Sequence, residues 1–320
     1  MRQISYIQAI NEALREEMDR DERVFIIGES IQAHIFMVTD GLVERFGADR
    51  VMDSTIAETA LAGATVGSAM AGYRPICDFV FADFMFVAAD EIFLKAAKWR
   101  SMHGGKVNLP LVFMAATGGG LRIGAEHSES PHAYVMHTPG LKLALPSTPY
   151  DAKGLMKTAI RDSNPVFFFY HKVLMGAVGE VPDEEYTIPF GKADIKRGGS
   201  DVTVVATSNM VSLSMDVARE LEGNISVEVI DPRTLEPLDI DTIIESVRKT
   251  GRAVVVDEDT KRCGVTAEIS AQITERAFDA LMAPVQRVAA ANIPIPGGIA
   301  EERCLPQRSD IAAAVESVMA

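Results

Sequence analysis

Asp53-Ser-Thr-Ile-Ala-Glu58 opens the stretch that decides the fold, and a Gly/Ala-rich segment carries it on to Ala71-Gly72. Tyr73-Arg-Pro-Ile-Cys-Asp-Phe-Val-Phe81 follows, then Ala82-Asp-Phe84 and an amphipathic run ending at Trp99-Arg100. The pattern predicts a helix opened by one carboxylate, a buried strand over Arg74–Phe81, an aromatic just past that strand, and a helix over Phe86–Arg100. In a parallel α/β sheet, ligands gather where strands end and helices begin. Glu58 and Phe84 are therefore candidates for one site. Each also has a plainer reading. Thr55 and Glu58 have the spacing of a capping box, which would place the carboxylate on the helix dipole, and most aromatics at such positions are core. Gly63 and Gly67 cost helix propensity, which points to another backbone approaching closely.

Outward from this stretch the same alternation continues. Ser5 with Gln8 predicts a capped helix to about Asp19, and strands are expected at Arg23–Gly28, Val51–Met52, Leu109–Ala116, Leu141–Pro146 and Val166–Tyr170. Helices are expected at Asp40–Phe46 and Tyr150–Arg161. The prolines, the acidic Asp183-Glu-Glu185 cluster and Gly198-Gly199 mark a linker. A second alternation has strands near Val202–Ala206, Ile225–Ile230, Ala253–Val256 and Val285–Val288, with helices near Val211–Leu221, Ile240–Thr250 and Thr266–Leu281. Such alternation predicts parallel sheets with right-handed crossovers. The expected division is a first domain over 1–180, a linker over 181–200 and a second domain over 201–320.

Three hundred and twenty residues exceed one typical core. A formal charge of −14 argues against nucleic acid and anionic membrane as partners. The three cysteines, Cys77, Cys263 and Cys304, have neither disulfide-framework nor zinc-ligand spacing. With no signal-peptide pattern and no run of transmembrane length, a cytoplasmic setting is expected.

Thr117-Gly-Gly-Gly120-Leu-Arg-Ile-Gly124-Ala-Glu-His127-Ser128 leaves the end of a strand, and its glycines suit close approach to a ligand. His127, His132 and His137 recur every five residues. On a helix that spacing turns about 140° beyond a full circle, and the flanking prolines predict loop, so a shared metal is disfavoured. His127 suits proton transfer near neutral pH; the alternative is a loop histidine with a structural hydrogen bond. Arg161-Asp-Ser-Asn-Pro165 is a turn whose oxygens suit a hard cation, or simply a turn.

The order of these motifs resembles the β subunits of thiamine diphosphate-dependent 2-oxo acid dehydrogenase components (the pyruvate dehydrogenase β-subunit family), and within them the acetoin dehydrogenase branch. Ile27-Gly-Glu29, Ile56-Ala-Glu58, Gly72-Tyr-Arg-Pro75, Asp83-Phe84, Glu126-His-Ser128, His137-Thr-Pro-Gly-Leu-Lys142, Pro149-Tyr-Asp-Ala-Lys-Gly154 and Asp162-Ser-Asn-Pro165 carry the likeness, and it spans nearly the whole chain. It implies a pyrimidine-binding domain plus a transketolase C-terminal-type domain, each a mainly parallel sheet flanked by helices. It implies that Glu58 holds the cofactor's aminopyrimidine in its activating form, that Phe84 stacks on that ring and that His127 handles protons. Glu29 matches an acidic cavity residue, and Ala159, Asp162 and Asn164 match a potassium site. The chain lacks the Gly-Asp and Asn-Asn dipeptides that serve the diphosphate's metal. The resemblance therefore implies a shared site, with Mg2+ held mainly by an α subunit in an α2β2 assembly and a lipoyl-bearing acyltransferase as acyl acceptor.

Departures from the family pattern bear on substrate more than on cofactor. Ser30-Ile-Gln-Ala-His34 lacks the usual glycines, Ser54-Thr55 stands where Thr-Pro is common, and Glu126-His-Ser-Glu129 replaces Gln-His-Ser-Gln. Acetoin, pyruvate and branched-chain 2-oxo acids stay open as substrates. The rival readings are half of a split transketolase-like transferase and a non-catalytic α/β subunit; the absence of a GxGxxG turn counts against a dinucleotide version of the latter.

Overall fold

Ser5 starts the first helix as its spacing requires. Its hydroxyl accepts the Gln8 N–H at 3.2 Å, while the Gln8 side chain accepts the Ser5 N–H at 2.9 Å. The computed structural model describes residues 1–320 and falls into two compact units. One comprises Met1–Thr117 and Tyr134–Phe190, the other Gly118–Ala133 and Gly191–Ala320.

In the first unit, β1 (Arg2–Ser5) leads into the helix Tyr6–Arg20, and β2 (Val24–Glu29), β3 (Val51–Ser54), β4 (Arg74–Phe81), β5 (Val112–Thr117), β6 (Lys142–Ala144) and β7 (Val166–His171) build a sheet. Its strands lie in the order β6-β7-β5-β4-β2-β3, and every neighbouring pair is parallel. Parallel strands covered on both faces have no solvent side, which is why β5 and β7 are buried at every position. Burying Phe167, Phe168 and Phe169 contributes about 2–3 kcal/mol each to the hydrophobic term. A short β8 (Val178–Val181) pairs antiparallel with β1.

The helix Tyr6–Arg20 packs on the helix Pro149–Arg161 through a charged seam. Glu17 is fully buried and bonded to the Arg161 guanidinium, with Nε 3.0 Å from both carboxylate oxygens. Lys153 Nζ lies 2.7 Å from Glu16, and the fully buried Lys157 pairs with Glu16 and with Glu185.

The second unit's sheet runs β14-β13-β10-β11-β9, from β9 (Asp194–Arg197), β10 (Val202–Ala206), β11 (Val227–Asp231), β13 (Ala253–Thr260) and β14 (Gln286–Ala290); β12 (Thr234–Glu236) is a short strand outside this sheet. The sheet is parallel except for β9 at its edge. Val204, Val229, Val254 and Val256 form a core with Ile311, Val315 and Val318 of the C-terminal helix Arg308–Met319.

Several local expectations differ from the structure. The expected linker contains β9, because Asp194–Arg197 finds an edge on β11. The C-terminal helix has no counterpart in the sequence reading. His132–Met136 is a short helix rather than loop. Phe86–Arg100 is not one regular helix: a 3₁₀ segment spans Ala82–Ala88, a π segment Asp90–Ala96 and an α segment Ala97–Met102. No helix is long and apolar enough to cross a membrane.

Candidate active site

The chain leaves β2 for β3 on one side, then returns to β4 on the other before moving on to β5 and β7. The β2/β4 boundary is thus the switch point of the sheet, where an open parallel sheet leaves a crevice outside the strands' carboxyl ends. Glu29 ends β2, beside Ser54 at the end of β3. Glu58 begins the helix Glu58–Met70 that follows β3. Phe84 comes three residues after β4. The structure therefore brings Glu29, Glu58 and Phe84 to the same end of one sheet.

Glu58 is only 7 % exposed. The capping box expected from Thr55 and Glu58 is not formed: the N-cap is Ala57, and no side chain caps the helix. The helix starts two residues later than the box requires, with Glu58 at its first rather than its third position, so the carboxylate is not committed to a cap. Its negative charge is felt by Glu29, whose carboxyl is raised above the usual range by burial first, then by Glu58 and Asp53. Phe84 is half-buried, its ring edge-on to Phe81 at 5.8 Å between centroids.

A small cleft, with room for about one water, is lined by Glu29, Ser30, Phe36, Thr39, Asp78 and Val80 among others. Asp78 is an ionisable group that pattern reading passed over. It sits inside β4 and is buried, and desolvation pushes its carboxyl up to about 7 although the Val80 N–H donates to it at 2.9 Å. The sequence signal was a lone carboxylate inside an apolar strand. Val80 itself takes φ +64°, a left-handed conformation that is costly for a β-branched residue. The loop after Glu29 turns left-handed at Ser30, His34 and Met37. Asp53 braces that loop, accepting the Ile31 N–H at 2.8 Å.

The Arg161–Pro165 turn is closely bonded. Asp162 Oδ1 accepts both the backbone and side-chain N–H groups of Asn164 at 2.8 Å, and Oδ2 accepts Lys142 Nζ at 2.5 Å. Against burial, which raises it, these bonds hold the Asp162 carboxyl below its usual range. Asn164 Oδ1 accepts from Arg100 at 2.7 Å, and Arg74 donates to the carbonyls of Ile160 and Asp162 at 2.8 and 3.0 Å. The side-chain oxygens of Asp162 and Asn164 are thus engaged within the turn itself.

In the second unit, the segment Gly118–Ala133 carries His127, which is half-buried. The three histidines occupy different environments. His132 is buried with Nδ1 3.2 Å from both Asp257 oxygens, and His137 is exposed. Burial lowers the proton affinity of His132, but Asp257 outweighs it and holds the imidazole above its ordinary range. Asp259, accepting the Ala133 N–H at 2.9 Å, is pushed up to about 6 by burial and by the Asp257 charge. His132 thus secures the end of the His127 segment.

The family model described as "Transketolase, pyrimidine binding domain" matches residues 2–177, and "Transketolase, C-terminal domain" matches residues 191–311. Acetoin:2,6-dichlorophenolindophenol oxidoreductase subunit beta of Cupriavidus necator is 44 % identical, over 99 % of this chain and 98 % of that protein. Pyruvate dehydrogenase E1 component subunit beta of Bacillus subtilis is 43 % identical over 100 % and 99 %. 2-Oxoisovalerate dehydrogenase subunit beta of the same organism is 46 % identical over 91 % and 90 %. A solved structure described as "Split gene transketolase, inactive beta4 tetramer" shares the fold with a TM-score of 0.82 at 22 % identity, covering 99 % of this chain and 98 % of that one. The strand-end crevice, the two-domain match and these full-length relatives agree: this chain belongs to the β-subunit family of thiamine diphosphate-dependent 2-oxo acid and acetoin dehydrogenase components.

Proposed function

We propose that this chain contributes half of a thiamine diphosphate site and, with an α subunit, cleaves acetoin or a 2-oxo acid and passes the acyl group to a lipoyl carrier. The observation that carries the reading is Glu58: a buried carboxylate at the sheet's switch point, not spent on capping its own helix. Thiamine diphosphate, when bound, supplies the carbon nucleophile and electron sink that this class of cleavage needs. A carboxylate and an aromatic face at one strand end suit an aminopyrimidine, Glu58 by exchanging a proton with the ring and Phe84 by covering its apolar face. Glu29, its carboxyl raised by burial and by the charges of Glu58 and Asp53, stands at the same strand end. His127 is the second proton-handling group.

The same reading leaves the Mg2+ and diphosphate contacts to the α subunit in an α2β2 assembly, with a lipoyl-bearing acyltransferase as acceptor. Ala159, Asp162 and Asn164 are read as a potassium site. Outside its own helix, nothing in this chain lies within 4 Å of a Cβ built on Gly67, whereas one on Gly63 would meet the Glu91 side chain at 3.7 Å. The close approach expected of this helix is accordingly assigned to another subunit at Gly67 alone. Free Cys77, Cys263 and Cys304 accord with a reducing, cytoplasmic setting.

The test is Glu58→Ala in the complex co-purified with its α subunit, assayed on acetoin, pyruvate and 2-oxoisovalerate with a dye acceptor. Turnover should fall at least ~100-fold, the scale on which a positioned proton-transfer group acts, with assembly unchanged. Full turnover in the variant would remove Glu58 from the chemistry.

A further inference from the structure

The Gly-rich turn that invites a ligand already holds an anion, and the anion belongs to the chain itself. Gly118, Gly120, Arg122 and Gly124 take positive φ values of 84°, 96°, 60° and 99°. Left-handed residues at alternate positions turn successive N–H groups toward one side, the geometry of a backbone anion nest. The side chain of Glu301 fills it. Glu301 Oε2 accepts the N–H groups of Gly120 and Arg122, both at 3.0 Å. Oε1 accepts the Ser128 hydroxyl at 3.3 Å and the Arg122 N–H at 3.2 Å. Glu301 is 1 % exposed, so these donors take the place of water.

The backbone reinforces the grip. Gly298 N–H donates to the Arg122 carbonyl at 2.9 Å, and Gly119 N–H donates to Glu258 at 2.5 Å. A Cβ on Gly119 would lie 2.3 Å from Leu305 Cδ1 and 3.3 Å from the Glu301 carboxyl, so a larger residue here would press on both side chains. The exposed Arg122–Glu302 ion pair adds little beside these. His127 lies inside the gripped span. Its N–H donates to the Gly124 carbonyl at 3.1 Å, and its neighbour Ser128 is one of the donors to Glu301.

We propose that Glu301 is the positioning residue for His127, fixing the Gly118–Ser128 turn in one conformation through its buried carboxylate; this rests on reading His127 as a proton-handling group. A charged acceptor holds N–H donors more strongly than a neutral amide does. Glu301→Gln keeps the size but removes the charge and sets an NH2 group in place of one oxygen, losing the second Arg122 contact, so the grip on the turn weakens and the imidazole is held less firmly. Misplacement of about 1 Å costs on the order of 100-fold in rate.

The test uses the assembled complex with its α subunit. In Glu301→Gln, hydrogen exchange of amides 118–128 should accelerate at least ~10-fold while the rest of the chain keeps its protection. On the same reasoning kcat should fall ~10- to 100-fold, with thiamine diphosphate affinity unchanged, because the Glu301 carboxylate bonds to Gly120, Arg122 and Ser128 and to neither Glu58 nor Phe84. Ser128→Ala, which removes one donor and leaves the carboxylate, should show smaller changes in both and serves if the Gln variant does not assemble. Glu301→Asp should recover part of the exchange protection. Wild-type exchange in 118–128, or faster exchange with wild-type kcat, overturns the proposal. A wild-type complex inactive on every acyl donor tested would instead sink the reading of His127, while the exchange measurement would still report the clasp.

Discussion

Asp78 shows how one side chain can be set by its surroundings rather than its type. Its carboxyl is pushed up to about 7 by burial in β4, against an unfolded value near 3.8. The folded chain therefore binds this proton more tightly than the unfolded chain does. The stability that follows is full below about pH 4 and is lost as pH rises to about 7. Asp78→Asn keeps an acceptor for the Val80 N–H and cannot ionise. Its stability relative to wild type should climb between pH 4 and pH 7 and level off above 8, by on the order of a few kcal/mol, at roughly 1.4 kcal/mol for each tenfold difference in proton affinity. Denaturant titrations at stepped pH measure this, and a constant difference across the range would mean that Asp78 ionises like a surface carboxylate. Glu58 was legible as a candidate from its place after a strand, but its freedom from capping was not. The spacing of Thr55 and Glu58 satisfies the capping-box pattern, and only the backbone at Ala57 shows that the box is not made.

Among the elements, the seam between the helices Tyr6–Arg20 and Pro149–Arg161 separates packing from charge. Lys157 is fully buried, yet its partners Glu16 and Glu185 reach solvent, with side chains 35 % and 59 % exposed. Water can take over the two carboxylates once the ammonium is gone, so the ion pairs should be worth little beyond the buried stem. Lys157→Met should cost about 1 kcal/mol and Lys157→Ala about 2–4 kcal/mol, because the latter leaves a cavity. Urea midpoints decide between the two contributions; equal losses would assign the seam to charge. The same pair of helices was readable from apolar spacing and the Ser5 cap. Strand β9 was not, since its mixed polar sequence is chosen by the free edge of β11 and by no pattern of its own.

At the scale of the whole molecule, the expectation is incompleteness. On the proposed function Glu29, Glu58 and Phe84 furnish the pyrimidine side of a site, and the chain has no Gly-Asp or Asn-Asn dipeptide for the diphosphate's metal. Calorimetry on the isolated chain should show thiamine diphosphate binding at least ~100-fold weaker than on the assembled complex, a coupling of about 2.7 kcal/mol; equal affinity would mean that the site is whole in one chain. The sequence by itself determined the alternation of strands and helices, the two-domain α/β class and the strand-end positions of Glu29, Glu58 and Phe84. Periodicity and strand-end placement are local, and motif order runs along the chain. Tertiary structure decided what those residues face. It raised Asp78 by surrounding it with strands, and it buried His132 against Asp257. It also filled the Gly118–Gly124 nest with Glu301, a carboxylate 181 residues on from Gly120. Burial and long-range pairing depend on how distant segments fold together, and no window of sequence contains them.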